Sequence, residues 1–289
     1  MFKQTIKQTI KQIIRPIYNH LTAGENIASL QNKITTLQSQ SLYPIADYIK
    51  ESAKTQTDLN LVSKEYLNLA KISNLNYVAI KCSSLNFDPI KINTISRALI
   101  NSGKRILIDA EEVKHSNQIN DITNELIKVH NKDFTNIYKT YQMYKKDQLN
   151  ILSNDLSQFP FLGVKLVRGA YYNQDRHTNQ LFRLKSETDE SFKSAMNLVF
   201  NTTSENVRTF ICTHNKENIN DMIIRSNSNK TVKNKIYHAS LYGFIPNETE
   251  RIIKANIKAF KYLPYGEIED AIPYLVRRLY ENPKILCLL

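Results

Sequence analysis

A chain of 289 residues, 42% hydrophobic and 23% charged, has the length and balance of one large globular domain that can bury a core unaided. Its three cysteines, Cys82, Cys212 and Cys287, lie far apart with no CxxC pair, which argues against a disulfide framework or a zinc site. The formal charge of +12 suits an anionic partner of some kind, be it nucleic acid, phospholipid or cofactor, and equally suits a chain simply rich in Lys, Asn and Ile.

No apolar run reaches membrane-spanning length. Residues 1–20 nevertheless contain no acid and place Phe2, Ile6, Ile10, Ile13, Ile14 and Ile17 at helical spacing, beside a basic stripe of Lys3, Lys7, Lys11 and Arg15. Three readings stay open: a targeting segment, a helix on a membrane surface, or the first helix of the domain. Residues 21–289 show no linker and read as one continuous domain. Strand patterns are clearest at 77–81 (YVAIK), 105–109 (RILID), 164–168 (VKLVR) and 208–213 (RTFICT), and weaker at 44–49, 136–140, 235–239 and 259–263. Helical patterns lie between them, for example at 59–72, 92–102, 119–129, 188–200 and 248–258. Such alternation predicts a parallel sheet with right-handed crossovers, and eight units in this length predict an α/β fold closed as a (βα)8 barrel.

The six glycines contain neither GxGxxG nor GxxxxGK, so a dinucleotide fingerprint and a P-loop are both missing. GxSxG and HExxH are missing too, and the six histidines show no ligand spacing. Charges gather instead where a barrel carries its chemistry, at the C-terminal ends of strands. Lys81, Asp109 and Arg168 close three strand patterns, and Lys165 sits within one. Either these residues turn to solvent, or they meet an anion or a carboxylate in a buried site. Thr213, His214 and Asn215 follow another strand with groups that could grip a phosphate or a ring edge. In the last helical stretch Tyr274, Arg277, Arg278 and Glu281 share one face, and Ile272, Leu275, Val276 and Leu279 the opposite one. Adjacent arginines can hold a carboxylate with forked hydrogen bonds, and an acid one turn later can orient them. The residues by themselves point to an anion site at a barrel mouth.

In order, LTAGENI (21–27), ILIDAE (106–111), TYQMY (140–144), GVKLVRGAYY (163–172), THN (213–215), YLPYG (262–266) and YLVRRLYEN (274–282) resemble the proline dehydrogenase family from about residue 20 onward. The resemblance implies a distorted (βα)8 TIM-type barrel that binds FAD without a covalent link and oxidises L-proline to 1-pyrroline-5-carboxylate. It implies that Arg277, Arg278 and Lys81 hold the substrate carboxylate, that Leu241, Tyr262 and Tyr274 wall its ring, and that Glu281 and Asp109 are acids of the site. Lys165 and Gln142 match groups beside the flavin, followed by Arg168, Gly169, Ala170 and Tyr171, with Lys185, Thr188, Thr213, His214 and Asn215 along the rest of FAD. The implied partners are a membrane quinone, met at a peripheral surface, and a pyrroline-5-carboxylate dehydrogenase that takes the product. The implied location is the mitochondrial inner membrane in a eukaryote or the cytoplasmic face in a bacterium. Ser240 stands where the family has glutamine, Phe244 where it has methionine and Arg183 where a hydroxyl is frequent, and the chain stops at Leu289. Those departures keep two alternatives in view, an impaired relative that binds or regulates and an oxidase of hydroxyproline or another cyclic imino acid. A nucleic-acid-binding barrel has only the net charge behind it.

Overall fold

The structure is a computed structural model that describes residues 2–283, with side chains from residue 11 onward; Cys287 lies outside the described residues. The chain begins with α1 (Phe2–Leu21), α2 (Ile27–Ser39), β1 (Tyr43–Tyr48), α3 (Gln56–Ala70), β2 (Tyr77–Ile80), α4 (Pro89–Asn101) and β3 (Arg105–Ile108). It continues through α5 (Ser116–His130), β4 (Ile137–Gln142), α6 (Gln148–Gln158), β5 (Gly163–Val167), α7 (Tyr172–Asp175), α8 (Lys185–Asn201) and β6 (Arg208–Cys212). It ends with α9 (Lys216–Ser228), α10 (Lys230–Lys235), β7 (Ile236–Leu241), α11 (Pro246–Lys254), β8 (Ala259–Tyr265) and α12 (Ile268–Glu281).

Every neighbouring pair of strands is parallel, and β1 pairs with both β2 and β8, so the sheet closes on itself in sequence order. The predicted α/β barrel is therefore the fold. Side chains alternate across each strand. In β5, Val164 and Leu166 face outward into the core shared with the helices, and Lys165 faces inward. In β8, Phe260 and Tyr262 face the barrel interior and Leu263 the outer core. The N-terminal half of the interior is filled by aromatic rings. Phe210 packs on Phe260, Tyr138, Tyr237 and Tyr77 with ring centroids 4.8–5.6 Å apart. That plug leaves the C-terminal half of the interior to polar residues.

Strand boundaries differ from the sequence reading by small steps. Lys81, Asp109 and Arg168 each lie one residue beyond their strand, at the mouth. The helix expected over 248–258 stops at Lys254 because Asn256 turns left-handed, at φ 56°. The face assignment on α12 needs correction. Ile268, Ala271, Tyr274, Leu275 and Arg278 are its buried residues, whereas Val276 is exposed and Ile272 only half-buried. The helix lies between α1 and the barrel mouth, so Leu275 packs toward α1 while Tyr274 and Arg278 also reach the interior.

The N-terminal segment is a single helix through Leu21, and Ile17, Tyr18 and Leu21 are buried against Ile268, Ala271, Tyr274 and Leu275 of α12. Lys11 pairs with Glu269, and Arg15 with Glu25 at 2.5 Å, so these two members of the basic stripe point at acids of the protein. Phe2, Lys3, Ile6, Lys7 and Ile10 have side chains outside the described residues. Among the described residues no helix is long and apolar enough to cross a membrane.

Candidate active site

A cavity of about 640 Å³ opens at the C-terminal ends of the strands, within the size range of small-molecule and cofactor sites. It brings together Lys81, Asp109, Leu241, Tyr262, Tyr274, Arg277, Arg278 and Glu281, the residues expected around a substrate. It also takes in Gln142, Lys165, Arg168, Gly169, Ala170, Tyr171, Lys185, Thr213, His214 and Asn215, those expected around a cofactor. Thr188 is the exception: it stands one turn into α8, buried, and does not line the cavity.

A line of alternating charges crosses the floor. Lys81 pairs with Asp47 and lies 3.7 Å from Asp109, which accepts a hydrogen bond of 2.6 Å from Lys165. Tyr262 donates to the same Asp109 oxygen at 3.5 Å, and the Lys165 ammonium lies 4.5 Å from the centre of the Tyr262 ring. All four charged groups are buried or nearly so, which is tolerable because each cation has an acid and each acid a cation. Burial pushes the Asp47 carboxyl up, against the pull of Lys81. Burial disfavours the Lys81 ammonium, but the fields of Asp47 and Asp109 outweigh it and hold the group well above its ordinary value. Lys81 thus remains a fixed cation.

The opposite wall comes from α12. Arg277 holds Glu51 through two nitrogens, at 2.5 and 3.4 Å, and its guanidinium lies 5.1 Å from the centre of the Tyr171 ring. Arg278 donates to Glu281 at 2.8 Å and lies 5.4 Å from the Tyr274 ring centre. Its Nε is buried and has no hydrogen-bond partner among the described residues, and the same holds for the Tyr274 hydroxyl. Two polar atoms in the same wall therefore have unused bonding capacity.

The RGAY turn is pinned from below. Gly169 has φ 132°, and a Cβ there would run into the Tyr144 ring, so only glycine can carry the chain past that ring. Tyr144 is held in turn by its hydrogen bond of 2.9 Å to Asp175. Arg168 faces the surrounding helices. It donates to Asp189 of α8 at 2.9 Å, to Thr213 at 2.7 Å and to Asn218 of α9 at 2.6 Å. It ties the THN turn to two helices, a bracing role the residue pattern alone does not reveal. Asn215 caps α9 by accepting from the Asn218 amide, so a helix N-terminus opens at this side of the cavity. Lys185 stands exposed at the rim, 2.5 Å from Asp189.

Two acids escaped the sequence reading. Asp47 follows Ile45 by two positions on β1 and so shares its inward face, a signal available once that strand is recognised. Glu51 lies in the connection after β1, where nothing in the pattern predicts a partner for Arg277. Among the described residues Cys82 and Cys212 are free thiols, and no cluster of His, Cys, Asp or Glu could hold a metal ion.

Comparison with known proteins agrees with this architecture. A family model described as proline dehydrogenase matches residues 30–286. The carbapenem antibiotics biosynthesis protein CarD of Pectobacterium carotovorum is 28% identical over 90% of this chain and 77% of its own length. Mitochondrial proline dehydrogenase 1 of Drosophila melanogaster is 29% identical over 68% of this chain. In solved structures, proline utilization A of Bdellovibrio bacteriovorus superposes with a TM-score of 0.85 and 17% identity over 94% of this chain. The matched part is 32% of the fly protein and 33% of the Bdellovibrio chain, so this chain corresponds to about a third of each. With the barrel, the cavity and a family match over most of its length, the chain belongs to the proline dehydrogenase family.

Proposed function

We propose that this chain oxidises L-proline to 1-pyrroline-5-carboxylate, with FAD as the hydride acceptor and a membrane quinone as the onward acceptor. The observation that carries this reading is the pairing, in one cavity, of two arginines on α12 with a buried line of lysines and acids on the strand ends. Proline is a small zwitterion. Its carboxylate calls for fixed cations and its ring for an apolar wall. Arg277, Arg278 and Lys81 supply the first, and Leu241, Tyr262 and Tyr274 the second. Glu51 and Glu281 keep the two guanidinium groups oriented until a carboxylate competes for them.

The residues present fit FAD. Lys165 is a buried lysine paired with Asp109, the 168–171 turn approaches the cavity as backbone, and the start of α9 with Thr213, His214 and Asn215 suits phosphate. Gln142, Lys165, Gly169, Ala170 and Tyr171 would hold the ring system, and Thr213, His214, Asn215 and Lys185 the rest. When bound, FAD supplies the acceptor for a hydride from the ring carbon beside nitrogen. Clamping the carboxylate fixes which face of the proline ring is presented, and Lys165 favours negative charge gathering nearby. A pyrroline-5-carboxylate dehydrogenase would take the product, and a peripheral contact with the mitochondrial inner membrane or a bacterial cytoplasmic membrane would reach the quinone.

The test is the visible spectrum of the purified protein before and after L-proline is added without oxygen. A flavin spectrum bleached by proline and not by glycine is the expected result. A flavin bleached only by hydroxyproline or another imino acid would replace the substrate. A protein that neither carries nor takes up FAD would overturn the assignment.

A further inference from the structure

Lys261 is a buried lysine of β8 whose side chain faces outward, away from the charged cavity floor. Its ammonium donates to Ser240 Oγ at 2.8 Å, to the Phe244 carbonyl at 2.9 Å and to Thr249 Oγ1 at 2.9 Å. Among the described residues no carboxylate lies within ion-pair distance of it. A buried cation satisfied only by neutral oxygens costs stability, and burial brings its pKa down to about 8.

Its three partners explain its position. Ser240 lines the cavity, and Phe244 lies in the turn between β7 and α11. This turn is strained: Gly243 and Ile245 both have positive φ, 83° and 46°, and a β-branched residue there persists only where its surroundings enforce it. The Phe244 ring stacks on His214 at the cavity wall, with centroids 4.9 Å apart and planes 22° from parallel. It also joins the cluster that contains Tyr274 of α12 and Leu21 of α1. Thr249 donates its own proton to the Ile245 carbonyl at 2.8 Å, so toward Lys261 it can only accept. Phe244 O can only accept as well. With the ammonium in place Ser240 accepts too, and its own proton is free to point into the cavity.

We propose that Lys261 is a positioning residue: its bonds to Phe244 and Ser240 hold the 242–245 turn where Phe244 stays stacked on His214 and the Ser240 hydroxyl can serve a ligand. Ser240 and Phe244 are thus parts of one device built on Lys261. The link to a ligand rests on the FAD reading above; the effect on the turn does not.

The experiment compares the full chain with Lys261→Met. Backbone amide exchange of residues 242–245, measured without any ligand, should speed up at least about tenfold, the scale of one lost hydrogen bond to a charged group. Unchanged exchange in that turn overturns the proposal, whatever FAD does. The second readout is FAD affinity, from quenching of flavin fluorescence, in a cycle with Phe244→Leu. Non-additive losses are expected, because both changes act through one ring. Additive losses overturn the proposal. Ser240→Ala, which removes one of the lysine's partners without touching the turn's own hydrogen bonds, should show the same local change more weakly and serves if Lys261→Met does not fold. Loss of FAD binding by the unmodified chain would sink the functional reading and leave the exchange result standing.

Discussion

At the N-terminal end of the barrel the inward positions are Tyr77, Tyr138, Phe210, Tyr237 and Phe260, rings packed edge to face with Arg105 bonded to the Tyr77 hydroxyl at 2.8 Å. Toward the C-terminal ends of the strands the inward positions become Asp47, Lys81, Asp109, Lys165 and Tyr262, and the rings give way to paired charges. The first region excludes water and gains from every buried carbon. The second keeps charges out of water and balances them one against another, which contributes little net stability and leaves a field ready for a charged ligand. One end is built for strength, the other for chemistry, and substitutions can separate the two.

The largest effect should follow loss of a plug ring. Phe260→Ala removes a fully buried side chain that touches four other rings, and it should cost about 3–5 kcal/mol by denaturant unfolding. Ligand affinity, measured well below the transition, should barely move. An equal loss of affinity would mean that the two ends are not independent. Asp109→Ala makes the complementary test at the mouth. It strands Lys165 and half of the Lys81 pairing, so a cost of about 3 kcal/mol in stability should come together with loss of activity. A variant that is stable but inactive would show that the charge line can relax toward solvent.

Arg278→Met comes next. On the proposed clamp, loss of one charge-assisted contact to a carboxylate should weaken proline binding by about 1.5–3 kcal/mol. The check is the KM for proline, with the unfolding midpoint measured in parallel. Unchanged proline kinetics would remove Arg278 from the clamp.

Much of this contrast was legible in the sequence because it rests on a period of two. Counting back from Lys81 gives Ala79 and Tyr77, and counting back from Tyr262 gives Phe260, so the inward set emerges once the strands are found. Asp47 was missed only because PIADY reads as a weak strand. Arg168 falls on the other parity, and its bonds to Asp189 and Asn218 follow from that. What period and motif cannot supply is contact across long loops. The Glu51–Arg277 pair joins residues 226 positions apart, and the Lys261 network depends on a turn whose strain no local pattern reveals. The face of α12 was misjudged for a related reason. A helix packed on two sides buries polar and apolar residues together, and amphipathic counting assumes a single buried side.

The pH dependence of stability separates Lys261 from Lys81 of the floor. Its folded pKa of about 8 lies below the ordinary lysine value, so between these two pH values the unfolded chain binds more protons than the folded one. Stability therefore rises as pH climbs from about 8, and the penalty carried by the buried ammonium is present in full only below that. Lys81, held above its ordinary value, gives no such rise over this range. The unfolding free energy of the unmodified chain relative to Lys261→Met should thus increase between pH 8 and 10 by an amount on the order of 1–3 kcal/mol. A flat difference would mean that the lysine reaches water in the folded state.

The smallest effect is expected at the N-terminal helix, the one place where sequence left a membrane contact open. Lys11 and Arg15 are partly exposed and already paired with Glu269 and Glu25. Exposed pairs contribute about 0–1 kcal/mol each, so Lys11→Gln with Arg15→Gln should shift the unfolding midpoint by little. The same double variant should sediment with anionic vesicles as the unmodified chain does, because cations engaged with the protein's own acids have little field left for a lipid surface. The burial of Ile17, Tyr18 and Leu21 against α12 makes this half of the helix part of the wall that carries Arg277 and Arg278. Vesicle binding that drops sharply in the double variant would reverse the conclusion: the ion pairs would then open at a membrane, and α12, which shares the interface, would feel the surface that the helix touches.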